Sequence, residues 1–381
     1  MAEFNRFIKT HMQISFFFFI AGLFFGLLYA CNLLGFVFPG ALLDPYVARS
    51  IHISLMLYGF IPLMLSYLPF LLIAKEAGIN SAGLRNLRLY TLIWYIFLVM
   101  MVITLAFGLN RGLAFYDFIY ELNFVLAFAG IFYIIALAQF LSTYERYPLW
   151  VKVSFALVVI APFALLFLMN PRYGQVEQTI SGPHGDNTLG MSLALIGIYY
   201  LIIKYKSQKP FTARWNWMWA VPLGFYLASV LHRSFTGELS YNQEWFLQYL
   251  TLLYLPLLYR WYKDADMNAG AKNMLLISLL AFAFVDIEGN ILFIPEIRWF
   301  IHRNDIVIGH AHIAMAIGVL FMVAALLYRY LPPVKTQLRL YLAAMLGIAA
   351  VLSISGIMQG LGMLDNLTDY WLLRAVFGAI A

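Results

Sequence analysis

Long apolar stretches of about twenty residues, broken by short polar segments, run from one end of this chain to the other. Eleven of them, at 12–38, 48–74, 87–109, 116–142, 149–169, 184–205, 216–236, 244–262, 273–297, 304–331 and 338–363, reach the length a helix needs to cross about 30 Å of hydrocarbon. A shorter twelfth, 368–381, ends still apolar at Ala381. The pattern predicts an all-α membrane protein of about 12 transmembrane helices, one polytopic domain over residues 1–381. From Phe16 the first run continues past the length of a signal-peptide core, so it is expected to be a span and not a cleaved leader.

Composition agrees: 63% of residues are hydrophobic and 11% charged, and mean hydropathy is +0.82. The single cysteine, Cys31, excludes a disulfide framework and a cysteine-based metal site. The net charge of +6 reads as topology and not as nucleic-acid binding. With the N-terminus in the cytoplasm, 17 of the 24 Lys and Arg residues fall in inside segments, among them Arg6, Lys75, Arg146, Lys204, Lys263 and Lys335. Five lie outside, Arg49, Arg111, Arg172, Arg298 and Arg303, and Arg233 and Arg374 lie within spans. This asymmetry fits an integral protein of a bacterial inner membrane.

The histidines supply the candidate chemistry. His310 and His312 begin the tenth span, two residues apart, so on a helix their imidazoles point about 200° apart, to opposite flanks. His52 lies one turn into the second span, His184 opens the sixth, and His232 stands near the outer end of the seventh. Five of the seven histidines, from four spans, thus share one depth near the outer surface. Imidazole is the commonest metal ligand, and ionisable groups at membrane depth are functional candidates by default. Five such groups suit heme ligation with a further metal better than one tetrahedral zinc; a single histidine among them can equally be a hydrogen-bonded packing residue.

The segment from Glu288 to Gly318, EGNILFIPEIRWFIHRNDIVIGHAHIAMAIG, resembles helices 9 and 10 of the catalytic subunit of heme-copper oxidases. It is most similar to the C-family, the cytochrome cbb type, and to the related nitric oxide reductases. Arg49-Ser-Ile-His52, Pro183-His184-Gly185-Asp186-Asn187 and Tyr226 to His232 resemble the family's helix 2, 6 and 7 patterns. The likeness implies a subunit I-like bundle carrying two hemes of the b type. His52 and His312 are then the axial ligands of a low-spin heme, and His310 the proximal ligand of a high-spin heme. His184 and His232 are implied as ligands of a second metal, and Tyr226 as the tyrosine that supplies an electron and a proton.

One position departs from the family pattern. Where the family has a second helix 7 histidine this chain has Arg233, whose guanidinium has no lone pair to offer a metal. Asp186 is the substitute donor, which would favour iron over copper; otherwise Arg233 pairs with heme propionates or Glu238 and the second metal is absent. Copper and non-heme iron both stay open. Glu288, with Asp286 beside it, reads as a proton carrier to the heme pocket or as a hydrogen-bonded helix contact. Arg298 and His302, with Arg49, stand where propionate contacts are implied, against an ordinary solvated loop. Asp117 and Glu121 open the fourth span where the family's acid helps hold calcium; acids stabilised by a helix dipole explain them equally well.

No Cys-x-x-Cys-His heme-attachment motif is present, so electrons are expected from a cytochrome c-type subunit or carrier. The expected activity is reduction of dioxygen, a small gas, by a cytochrome c oxidase-type enzyme embedded in membrane lipid. The alternatives are a nitric oxide reductase-like enzyme, and a non-catalytic heme protein passing electrons or sensing a gas.

Overall fold

The structure, a computed structural model, describes residues 2–36, 40, 44–113, 116–171, 185–213, 217–301, 304–330, 334–363 and 366–381. Among these it is helical, without a β-strand, and the chain divides into two compact units, Met1–Ile180 and Ser181–Ala381. Eight helices are long and apolar enough to cross a membrane.

The first unit contains α1 (Ala2–Leu33), α2 (Pro45–Glu76), α3 (Ser81–Ala106), α4 (Leu122–Leu141) and α5 (Leu149–Leu168). The first four are of spanning length and composition; the apolar part of α5, Val151–Phe167, is shorter. Asp44 caps α2 by accepting from the Tyr46 and Val47 amides, with Pro45 at the position where a missing N–H costs nothing. Ile51, Leu55 and Leu63 of α2 meet Phe97, Leu98 and Met101 of α3 in the core, while Phe17, Phe24, Leu92 and Val99 stay exposed for lipid.

Inside α2 the coil widens into a π-helix over Leu55–Phe60. Pro62 has no N–H to return to the carbonyl of Tyr58, and Trp94 Nε1 donates to that carbonyl instead at 2.9 Å. At membrane depth an orphan carbonyl finds no water, so such a side-chain donor is needed to hold the widened turn.

The loop before α4 corrects one expectation. Asp117 does not sit exposed on a helix end: it is 3% exposed, and its carboxylate accepts from Ser50 Oγ and from the Gly112 amide. It ties the loop to α2, and the helix starts later, at Leu122, behind an exposed Glu121.

The second unit contains α6 (Asp186–Lys206), α7 (Trp217–Phe235), α8 (Tyr241–Tyr249), α9 (Tyr254–Asp264), α10 (Ala269–Leu292), α11 (Pro295–Ile301), α12 (Asp305–Leu327), α13 (Lys335–Gly360) and α14 (Thr368–Ile380). Of these α6, α10, α12 and α13 complete the set of spanning length and apolarity. The expected eighth span is divided by a 3₁₀ turn at Leu250–Leu253. Thr251 Oγ1 takes the Gln248 carbonyl at 2.9 Å, and Pro256 has no N–H for that of Leu252.

A second π segment, Ile313–Val319, follows His312 directly in α12. Two of its carbonyls also receive side-chain donors, Ala316 from the Tyr341 hydroxyl at 3.0 Å and Gly318 from Ser278 Oγ at 2.5 Å. The neighbours α13 and α10 thus each supply one donor to the widened turns.

Candidate functional site

Three of the expected ligand histidines are described in detail, and each uses Nδ1 in the same way. His52 Nδ1 lies 2.7 Å from the Gly22 carbonyl of α1, and His312 Nδ1 lies 2.8 Å from the Ile308 carbonyl of its own helix. A backbone carbonyl only accepts, so both imidazoles donate from Nδ1 and carry the lone pair on Nε2. His310 Nδ1 meets Glu288 Oε2 of α10 at 3.2 Å. An oxygen acceptor on one ring nitrogen fixes tautomer and ring orientation for metal binding at the other.

Each ring is seated by local shape. A Cβ on Gly26 of α1 would come within 2.6 Å of His52 Nδ1, so only glycine lets the imidazole lie there. Beside His310, a Cβ on Gly289 would stand 3.3 Å from its Cε1 and 3.7 Å from Gln248 Nε2. Gln248 is buried, with Oε1 accepting from the Gly185 amide at 3.2 Å. Glu288 also borders an apolar cleft of about 440 Å³, lined by Phe284, Ile287, Ile291, Ile306 and Ile357 among others, where it is the one ionisable lining residue.

The second-metal residues are resolved in part. His184 lies outside the described residues, as does the side chain of Asp186. Among the described residues no three His, Cys, Asp or Glu side chains converge. His232 is half-buried near the end of α7, its carbonyl accepting from Thr236 Oγ1 at 2.7 Å. Tyr226 of α7 packs on α6, where a Cβ on Gly190 would come within 2.7 Å of its ring.

Arg233 does not pair with Glu238, which is exposed; it donates to Glu244 Oε1 of α8 at 3.0 Å. Glu238 lies in the polar turn after α7, whereas α8 carries Glu244 back against the guanidinium. Glu244 also adjoins Gly185, the residue after His184: a Cβ there would approach Glu244 Cβ to 2.7 Å, and the backbone has φ +56°, which glycine adopts freely. Sequence reasoning missed Glu244 because its setting is made entirely by tertiary contact.

The remaining candidates are placed as follows. Arg49 is half-buried one turn before His52. Arg298 lies on α11 and not in a loop, its guanidinium over the rings of Tyr241 at 5.2 Å and Phe293 at 5.6 Å. His302 lies outside the described residues. Asp286 is half-buried on α10, its carbonyl accepting from Asn290 Nδ2 at 2.7 Å.

In the second unit Trp245 Nε1, Tyr254 Oη and Asn290 Oδ1 are buried without a hydrogen-bond partner among the described residues. His310 and His312, each with an oxygen acceptor at Nδ1, would offer Nε2 to a metal, a donor chemistry that heme iron accepts. No protein-family model matches the chain, and no curated protein matches it.

Proposed function

We propose that the chain is the catalytic subunit of a membrane respiratory oxidoreductase of the heme-copper oxidase type, reducing dioxygen with electrons from a cytochrome c-type partner. The observation that carries this reading is the common anchoring of His52, His310 and His312, each holding an oxygen acceptor at Nδ1. Metal-ligating histidines almost always hold an oxygen acceptor at the ring nitrogen that does not bind the metal, and all three imidazoles have that arrangement. On this reading His52 and His312 would be ligands of low-spin b-type heme iron, and His310 would be a ligand of high-spin heme iron.

When bound, the hemes supply one-electron chemistry and an open iron position for a small gas. The chain's own residues set the conditions. Glu288 orients His310 and, by accepting its Nδ1 proton, makes Nε2 a stronger electron donor. Tyr226 is the proton and electron source next to the gas, and Asp286 joins Glu288 as a proton carrier. Arg298 and Arg49, with His302, bind heme propionates; an acid near α4 holding calcium belongs to the same reading.

The Arg233–Glu244 pair favours a second reading, in which the second metal is gone and the protein passes electrons or senses a gas. Quantifying heme, iron and copper on purified protein separates them. Two hemes with one copper or a third iron support the oxidase or a nitric oxide reductase-like enzyme. Two hemes and no further metal leave the second reading, and a chain with no heme overturns both.

A further inference from the structure

We propose that Asp305 is a positioning residue that fixes the rotational setting of α12 and, through it, the directions of His310 and His312; this rests on reading those histidines as iron ligands. Asp305 Oδ2 accepts from Ser355 Oγ at 2.9 Å and from Gln359 Nε2 at 2.8 Å, both on α13. The Asp305 amide donates to Gln359 Oε1 at 3.2 Å, so one glutamine reads both the side chain and the backbone of Asp305. Next to it Asn304 Nδ2 donates to the Gly356 carbonyl at 2.7 Å, while its Oδ1 caps α12 by accepting from the Ile306 amide.

The two helices also touch at their backbones. A Cβ on Gly356 would come within 2.3 Å of the Ile306 nitrogen, and one on Gly309 within 3.0 Å of the Ala349 carbonyl. Bonds on two successive residues, with close approach at both ends of the turn, restrict sliding and rotation together. Ser355 is buried and Asp305 and Gln359 are half-buried, so the bonds are partly shielded from competing water. On the far side of the histidines the helix is already widened by the π segment Ile313–Val319. His310 and His312 therefore stand between a clamped turn and a widened one.

Both histidines turn with the helix: the Nδ1 bond of His312 goes to the Ile308 carbonyl of α12 itself, and that of His310 reaches Glu288 of α10. Loosening Asp305 is therefore expected to disturb the direction of both imidazoles.

The test uses the full chain, purified as wild type, D305A and D305N, with amide hydrogen exchange over residues 306–312 and electron paramagnetic resonance of the ferric hemes. D305A is expected to raise exchange at those amides by about tenfold or more. It also shifts or broadens the ferric heme signals. D305N keeps an oxygen that accepts both bonds, and brings both readouts back to within about twofold of wild type. S355A removes one donor, gives a smaller change of the same sign, and carries the test if D305A does not fold. Wild-type exchange in D305A and S355A, or unchanged heme signals despite faster exchange, overturns the assignment. Wild-type protein without heme overturns the functional reading, and exchange alone then decides whether the clamp holds the helix.

Discussion

In the first unit the imidazole of His52 reaches out of its helix to a carbonyl of α1; in the second, His312 turns back onto its own helix and His310 reaches across to a carboxylate. All three settle the same tautomer by different means. His52 depends on the register of α1 against α2, since Gly22 accepts its proton and Gly26 makes its seat. The Nδ1 bond of His312 stays within α12, so the ring's direction follows the azimuth of that helix. His310 alone has a partner that changes its electronics as well as its geometry. Where orientation is borrowed from a neighbour, a distant glycine is as necessary as the histidine.

Removing the rings breaks this comparison most severely. H52A and H312A are each expected to lose the low-spin heme and leave about one heme per chain, whereas H310A loses the high-spin one, read by pyridine hemochrome and paramagnetic resonance. Loss of different hemes from H52A and H312A would separate the two residues. G26V should act almost as strongly as H52A, because the added carbons occupy the imidazole seat, and it should leave the His310 site untouched.

Smaller effects sharpen the electronic difference. E288Q is expected to weaken iron binding at His310 by about 10- to 100-fold and to raise the high-spin potential, measured by redox titration, with the low-spin heme unmoved. E244Q replaces the carboxylate facing the Arg233 guanidinium by a neutral amide that still accepts; a loss of about 1 to 2 kcal/mol in denaturant unfolding is expected, and E244Q/R233M should recover part of it. The least is expected of Y341F, which takes one donor from the π segment after His312, at about 1 kcal/mol and without change in heme content.

Much of the fold was legible in the chain. The helices α1, α3, α4, α10 and α13 follow apolar runs of spanning length because lipid asks only for sustained apolarity. The three histidines stand out in the chain for a related reason, being costly in apolar sequence. What escaped depended on pairing across the sequence. Asp117 read as a helix-end acid, since nothing local shows Ser50 arriving to bond it 67 positions away. His11 was left without a role, yet it is buried, takes the Tyr95 hydroxyl at Nδ1 and reaches the Leu63 carbonyl from Nε2 at 3.4 Å, the opposite tautomer to the three ligand candidates. Glu244 and Gln359 carry no motif, and the role of Asp305 shows only through Ser355 and Gln359, 50 and 54 residues away.

The two π segments act as slack in the register of their helices. Each accommodates one residue more than an α-helix would over the same rise, so the faces of α12 on either side of Ile313–Val319, and those of α2 on either side of Leu55–Phe60, keep nearly the register of an unbroken coil. Removing one residue from a π segment would let the coil close with little turn, whereas removing one from the α-helical stretch between Asp305 and His310 would swing both histidines by about 100° relative to the helix start. Chain length is therefore tolerated at the widened turns and read strictly between the helix start and the imidazoles.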